Sequence, residues 1–202
     1  MAGAMYLPLN IEALHPTEAE LAARLRVPLG YRDAAIDEAE RELLRAIRPA
    51  MTAVRVKISR QADGGLLLGT LSVQSKGLEK NLTGCDEAFL FAVTLGLSCE
   101  QWLHKTALLS PSKHFLADAL ASAYAEAAAD AANEILGEGI SIAPRFSPGY
   151  GDLPLSVQKD LITMTEANKY LHIELQDSFL MVPQKSITAI IGIKNDAERR
   201  AE

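Results

Sequence analysis

The residues best suited to hold a ligand are concentrated in one octapeptide at 145–152, which has the sequence RFSPGYGD. Arg145 can bind a carboxylate or a phosphate through two parallel hydrogen bonds, a geometry that lysine does not reproduce. Tyr150 lies between two glycines, so backbone amides can approach a ligand closely while the phenol offers a stacking surface and a hydroxyl. The Pro148-Gly149 step predicts a tight turn. These features predict a rigid ligand-binding loop; the alternative is a structural loop in which Arg145 pairs with a surface carboxylate.

A long alanine-rich helix is predicted shortly before this loop, over 115–136, ending at Gly137. Alanine at so many helical positions allows close backbone approach, so we expect this helix to lie against a sheet or a neighbouring helix. Asp118, Ser122 and Glu126 share one face of it. The spacing by itself favours a solvated polar stripe.

The other predicted elements are helices and strands joined by hairpins. Helices are expected at 17–25, 33–48, 78–82, 98–108 and 156–170, and strands at 52–59, 66–73, 89–95 and, as two or three short runs, within 173–193. In the strand at 52–59, even-numbered side chains are expected to face the core and odd-numbered ones, including Ala53, the solvent.

Helices thus surround the strands instead of alternating with them, which predicts an α+β fold: a single domain spanning 1–202, with a mainly antiparallel sheet flanked by helices. Residues 1–31 are predicted to form an N-terminal arm that packs on the body, and 195–202 a frayed polar tail.

The composition excludes several classes of protein. With a net charge of −6, general affinity for nucleic acid or an anionic membrane is not expected. Apolar stretches are interrupted well before the length of a membrane span, and the first residues lack the features of a signal peptide. Cys85 and Cys99 form no CxxC pair, so we expect two buried thiols and a reducing, cytoplasmic location.

No catalytic constellation is evident in the sequence. The four histidines are far apart and lack metal-binding spacing, and no nucleotide-binding glycine motif or serine elbow is present. No nucleophile can be paired with a base. Any reaction is therefore expected to depend on a bound cofactor or on a partner protein.

Two motifs in the second half of the chain resemble a known family. The octapeptide continues as RFSPGYGDLPL, and after a helix the stretch 178–189 has the sequence SFLMVPQKSITA. In this order, the motifs resemble the activation domain of vitamin B12-dependent methionine synthase, and more closely its stand-alone homologues in anaerobic bacteria. The resemblance is strongest over 140–193 and weaker over 80–137.

This resemblance implies a domain that binds S-adenosylmethionine and docks on the cobalamin module of its partner when the cobalt is in the inactive cob(II) state. Reduction and methyl transfer from S-adenosylmethionine then restore methylcobalamin. It further implies that Arg145 holds the methionine carboxylate and that Gly149 and Tyr150 line the site. Ser147 stands where the full-length enzymes commonly have alanine, and Glu138 is the approximate counterpart of an acidic residue that precedes the motif arginine.

The chain departs from the full-length enzymes at two places. They carry an aromatic residue in the last strand, where this chain has Ile190 and Ile191. Their matching long helix carries acidic residues near the ligand, so the resemblance offers a second interpretation, that the face with Asp118, Ser122 and Glu126 borders the ligand cleft. Ser122 stands where one of those acids is expected. We predict a reactivation partner of a cobalamin-dependent methionine synthase. The alternative is an accessory or small-ligand-binding module for another corrinoid methyltransferase.

Overall fold

The computed structural model describes residues 3–62 and 64–195. Among these residues the strands are β1 (Met5–Pro8), β2 (Ala50–Arg60), β3 (Leu66–Leu68), β4 (Leu71–Val73), β5 (Cys85–Thr94), β6 (Glu174–Leu175), β7 (Met181–Val182) and β8 (Ser186–Lys194). The α-helices are α1 (Glu18–Leu25), α2 (Ala34–Ala46), α3 (Lys76–Asn81), α4 (Leu97–Leu109), α5 (Pro111–Leu136), α6 (Gln158–Met164) and α7 (Ala167–Tyr170).

The predicted α+β fold is confirmed, with one main sheet flanked by helices. The strand order is β4-β3-β2-β5-β8, β1 also pairs with β2, and the described strand pairs are antiparallel. Strand β8 therefore forms one edge of the sheet. Isolated antiparallel bridges from Ile142 to Ile193 and from Phe146 to Ile190 bring the segment 141–146 alongside that edge.

Both faces of the central strands are covered, which corrects one prediction. Odd-numbered residues of β2, β5 and β8, such as Phe91, pack with α1, α2, α4 and α5, whereas even-numbered ones, such as Leu90, pack with α3 and α6. Ala53, expected to face solvent, is only 2% exposed. Arg55 and Lys57, on the same face of β2, are exposed as predicted, but at Ala53 the helical layer covers this face and makes it part of a second core.

Helix α5 is the centre of the helical layer. Its alanines are largely buried, and it packs against α1, α2, α4 and the sheet. It begins at Pro111, earlier than the predicted start at Phe115, because the Ser110 hydroxyl accepts a hydrogen bond from the Lys113 N–H and proline is favourable in the first turn. Small side chains let this helix lie close to its neighbours over its whole length, as predicted.

Two predicted elements are interrupted at residues with positive φ. The strand predicted at 66–73 is instead the β3–β4 hairpin, because the chain turns at Gly69, whose φ is 62°. The helix predicted at 156–170 is a 3₁₀ turn followed by α6 and α7, which are separated at Glu166 with a left-handed φ of 52°. In neither case did apolar periodicity reveal the break.

The first thirty-one residues contribute a strand that was not predicted. β1 pairs with β2 over Met5–Pro8, and α1 packs against α5. Helix α1 starts after Thr17, whose hydroxyl accepts a hydrogen bond from the Glu20 N–H at 3.2 Å, in agreement with the predicted cap. Of the predicted tail, Asn195 donates to the Gly84 carbonyl, and 196–202 lie outside the described residues.

Cys85 and Cys99 are both buried and are not joined in a disulfide, which confirms their predicted packing role. No helix within the described part of the chain is both long and apolar enough to cross a membrane. Within 3–62 and 64–195, no three His, Cys, Asp or Glu residues are grouped so that they could hold a metal ion.

Candidate ligand-binding site

The segment 141–146 positions the motif arginine by extending the sheet. The Phe146 N–H donates to the Ile190 carbonyl and the Ile190 N–H donates to the Phe146 carbonyl, each at 2.9 Å. Side chains alternate along extended chain, so Phe146 and Arg145 point to opposite faces of the sheet. Phe146 packs into the core with α3 and α6, and Arg145 is directed towards α5.

The predicted turn follows immediately and is confirmed. The Tyr150 N–H donates to the Ser147 carbonyl at 3.1 Å, and Gly149 has a φ of 91°. Proline at the second position and a glycine with positive φ at the third are typical of a type II turn. The Gly149 N–H also donates to the Leu153 carbonyl at 2.9 Å, and the Leu153 N–H donates to Tyr150 at 3.0 Å. The loop therefore holds its own shape.

Asp152 fastens the far end of the loop to α3. Its carboxylate accepts hydrogen bonds from the Ser75 hydroxyl at 2.5 Å, the Lys76 N–H at 2.7 Å and the Gly77 N–H at 3.0 Å. The Ser75 hydroxyl, followed by the Gly77 N–H, lowers the pKa of the Asp152 carboxyl, because these donors stabilise its charged form. The loop is thus anchored at β8 on one side and at α3 on the other.

Arg145 is paired with two carboxylates of α5. Its Nη2 lies 2.7 Å from Glu126 Oε2, and its Nη1 donates to Asp130, one helical turn further on. Burial disfavours the charged guanidinium, but the hydrogen bond and charge of Asp130, together with Glu126, outweigh this effect and raise the pKa of Arg145. Glu126 also lies 3.6 Å from Arg24. The carboxylate pairing considered as the structural alternative is therefore present in the free protein.

The polar face of α5 continues towards the start of β8. Lys185, whose side chain is only 12% exposed, donates to Asp118 at 2.7 Å and to the Ser122 hydroxyl at 2.9 Å. Asp118, Ser122 and Glu126 therefore face the motif residues Lys185 and Arg145. Of these three α5 residues, Glu126 lines a pocket. That the whole face borders a ligand cleft stays a prediction.

That pocket, the β8-edge groove, has a volume of about 190 Å³ and lies over the outer edge of β8, beyond the last bridge to the segment 141–146. Three predicted site residues line it: Arg145, Ser147 and Tyr150, whose side chain is largely exposed. The groove is completed by residues from α5, α6, β7 and β8, among them Glu126, Gln158 and Thr188.

Two predicted site residues do not line the groove. Gly149 forms the turn that presents Tyr150 and acts through the backbone. Glu138 lies in the exposed turn after α5, two helical turns beyond Asp130, and is not among the lining residues. The acidic groups next to Arg145 are instead Glu126 and Asp130.

A larger pocket of about 640 Å³ lies between β2 and the end of α6 and is lined by residues such as Val54, Lys57 and Met164. It contains none of the motif residues. The β8-edge groove is smaller but combines a guanidinium, two kinds of hydroxyl and a carboxylate. Its chemistry makes it the stronger candidate for specific ligand binding.

Sequence reasoning missed Gln158 and gave no role to Lys185 or Thr188. Gln158 is the first residue of α6 and is buried next to apolar Val157 and Leu161. A glutamine on an otherwise apolar helix face is the one signal that could have identified it. Lys185 and Thr188 stood within a quoted motif, but their neighbours on α5 and α6 are remote in sequence.

The fold and the groove define an α+β domain with a candidate ligand site at the edge of an antiparallel sheet. No protein-family model matches the chain, and neither does any curated protein. Thirteen chains of solved structures match it. One is the crystal structure of the MetH reactivation domain bound to AdoHcy, which is S-adenosylhomocysteine. The two folds superpose with a TM-score of 0.70 and 16% sequence identity, and the match covers 96% of this chain and 79% of the other. The resemblance carried by the two motifs is thus confirmed at the level of the fold.

Proposed function

We propose that this chain binds S-adenosylmethionine in the β8-edge groove and acts as a reactivation partner of a cobalamin-dependent methionine synthase, docking on its cobalamin module. One observation carries the proposal. Arg145, Ser147 and Tyr150, which the motifs singled out, line one groove in a fold shared with a reactivation domain that was crystallised with S-adenosylhomocysteine.

The charges of the groove suit the amino-acid end of such a ligand. A guanidinium has five N–H donors, and the ion pairs with Glu126 and Asp130 do not use all of them, so Arg145 can also donate to a ligand carboxylate. The carboxylate of Glu126, which also lines the groove, complements the ligand ammonium. The exposed Tyr150 ring offers a stacking surface for the adenine.

The chain's own contribution is position. S-adenosylmethionine supplies the methyl group, which would pass to the partner's cobalt after one electron from a separate donor has reduced it, leaving S-adenosylhomocysteine. Arg145 and Tyr150 are held by a loop that is anchored at β8 and α3, so the ligand is presented in a fixed orientation. A protein that supplies no reacting group accelerates group transfer mainly by holding the reactants in such an orientation.

Two observations favour a second candidate, an accessory module that holds a smaller carboxylate for another corrinoid methyltransferase. The groove, at about 190 Å³, is smaller than the roughly 300–1,000 Å³ of ordinary ligand pockets. Ile190 and Ile191, which stand where the full-length enzymes have an aromatic residue, are both fully buried. They offer no stacking surface to an adenine.

The test has two parts. Calorimetric titration with S-adenosylmethionine and S-adenosylhomocysteine measures binding by the purified chain. A methionine synthase without its own activation domain, poised as cob(II) with an electron donor, is then assayed for recovered methionine formation. Saturable binding together with recovery supports the first candidate. Binding without recovery favours the second, and undetectable binding with no recovery rejects the adenosyl-ligand proposal.

A further inference from the structure

Two residues that line the β8-edge groove each carry a buried polar atom that has no partner among the residues the structure describes. Gln158 and Thr188 both line the groove, and the residues are 8% and 2% exposed. Neither Gln158 Oε1 nor Thr188 Oγ1 has a hydrogen-bond partner within the described part of the chain. Buried polar groups in folded proteins are almost always hydrogen-bonded, and leaving them unbonded is unfavourable. The pair therefore indicates a group that this part of the chain does not supply.

The backbone of β8 adds further polar groups at the same place. Because both the N–H and the carbonyl of Ile190 bond to Phe146, even-numbered residues of β8 direct their backbone groups to the outer edge of the sheet. Thr188 lies two residues before Ile190, past the last bridge to the segment 141–146. Its N–H and carbonyl therefore face the groove side of β8.

We infer that Gln158 and Thr188 bind a hydroxyl or amino group of the ligand whose carboxylate Arg145 holds, an inference that rests on the proposed function. An amide oxygen only accepts hydrogen bonds, so the ligand group next to Gln158 is a donor. An S-adenosyl amino acid has such donors at its ammonium, on its ribose and on its adenine. Arg145, Gln158 and Thr188 come from three different elements, so together they determine which ligand fits.

The chain offers a matched control in Thr52. Thr52 and Thr188 are both paired with Ala92, on opposite sides of β5, and lie on the same face of the sheet. Thr52 is fully buried, and its Oγ1 likewise has no partner among the residues that the structure describes. It does not line the groove. Thr52→Val and Thr188→Val therefore make the same chemical change with and without access to a ligand.

The expected result is a divergence between stability and affinity. Both valine variants should melt at or above the wild-type temperature, because a methyl group replaces a buried hydroxyl that bonds to no described residue. Calorimetry should show that Thr188→Val binds S-adenosylhomocysteine about three- to tenfold more weakly than the wild type, whereas Thr52→Val binds it equally well. Gln158→Met, which keeps an unbranched side chain, should weaken binding by a similar factor.

Two fragments identify the donor. 5′-Methylthioadenosine lacks the amino-acid end, and methionine lacks the nucleoside. If the loss in Thr188→Val persists with methylthioadenosine, the donor is on the nucleoside; if it persists with methionine, the donor is the ammonium. Either result supports the inference.

The inference is overturned if Thr188→Val and Gln158→Met bind S-adenosylhomocysteine as the wild type does while Arg145→Lys is weakened. It also fails if Thr188→Val melts below Thr52→Val with unchanged affinity, since the hydroxyl would then serve the free fold. Undetectable binding by the wild type removes the proposed function itself and this inference with it, an outcome distinct from a variant-specific result.

Discussion

Replacing Arg145 by lysine should weaken ligand binding more than it destabilises the free protein. In the free protein, Arg145 donates to Glu126 and Asp130 at the same time. A lysine ammonium keeps the charge but lacks the planar fork, so it cannot serve both carboxylates and a ligand carboxylate together. The substitution therefore affects two separate quantities, the free energy of unfolding and the free energy of binding.

The exposure of the ion pairs limits the loss of stability. The side chains of Arg145, Glu126 and Asp130 are 23%, 33% and 60% exposed, so solvent screens these pairs and each contributes no more than about 1 kcal/mol. Losing one of them should lower the melting temperature by about 2–4 °C for a chain of this size. A paired contact with a ligand carboxylate is worth about 1.5–3 kcal/mol, so affinity should fall about ten- to a hundredfold.

Calorimetric titration with S-adenosylhomocysteine and thermal melts of the free protein measure the two quantities. Arg55→Lys is the matched control, because Arg55 pairs with Glu87 across β2 and β5 and neither residue lines the groove. It should lower the melting temperature slightly and leave affinity unchanged. If Arg145→Lys keeps wild-type affinity while its melting temperature falls, Arg145 only ties the loop to α5 and the ligand contact is refuted.

Two further predictions concern the supports of the groove. Gly192→Ala places a Cβ 2.6 Å from Cys85 Sγ and 2.8 Å from Leu82 Cδ2, both in the core. Chemical denaturation should show a free energy of unfolding lower by about 1–3 kcal/mol. If the Gly192→Ala, Cys85→Ala double variant regains none of this stability, the steric cause is contradicted. Asp152→Asn should lower the melting temperature most at neutral pH, because the pKa of Asp152 is lower in the folded state than in the unfolded chain. The Asp152 carboxylate therefore contributes fully to the free energy of unfolding above the ordinary pKa of about 3.9. That contribution is lost as the pH falls through the lower pKa of the folded state. A gap between wild type and Asp152→Asn that stayed constant in melts from pH 7 down to acid would refute this pH dependence.

The proposals differ in what their failure would mean. Loss of binding in Arg145→Lys alone concerns the carboxylate contact, and loss in Thr188→Val concerns the donor contact. Asp152→Asn perturbs the anchor of the loop and is expected to loosen both contacts moderately. Comparing the three variants with one ligand therefore separates direct contacts from the positioning of the loop.

The sequence by itself determined the features that depend on neighbouring residues. The cap at Thr17, the turn at Pro148-Gly149 and the long helix α5 follow from side chains a few positions apart, and the structure contains all three. Helices and hairpins were also sufficient to predict an α+β fold with an antiparallel sheet. Short-range rules hold here because capping bonds, proline φ angles and helical spacing are set within one or two turns of chain.

Only the tertiary structure decided which residues contact each face of a strand or helix. Ala53 obeys the strand alternation but is buried, because helices from other parts of the chain cover its side of the sheet. Arg145 was identified from its motif, yet its partners on α5 appear only in the folded structure. The same holds for the buried atoms of Gln158 and Thr188 that have no partner in the described part of the chain, because they lie where α5, α6 and the edge of β8 meet. Such a site depends on packing between elements remote in sequence, and no local pattern encodes which of them will meet.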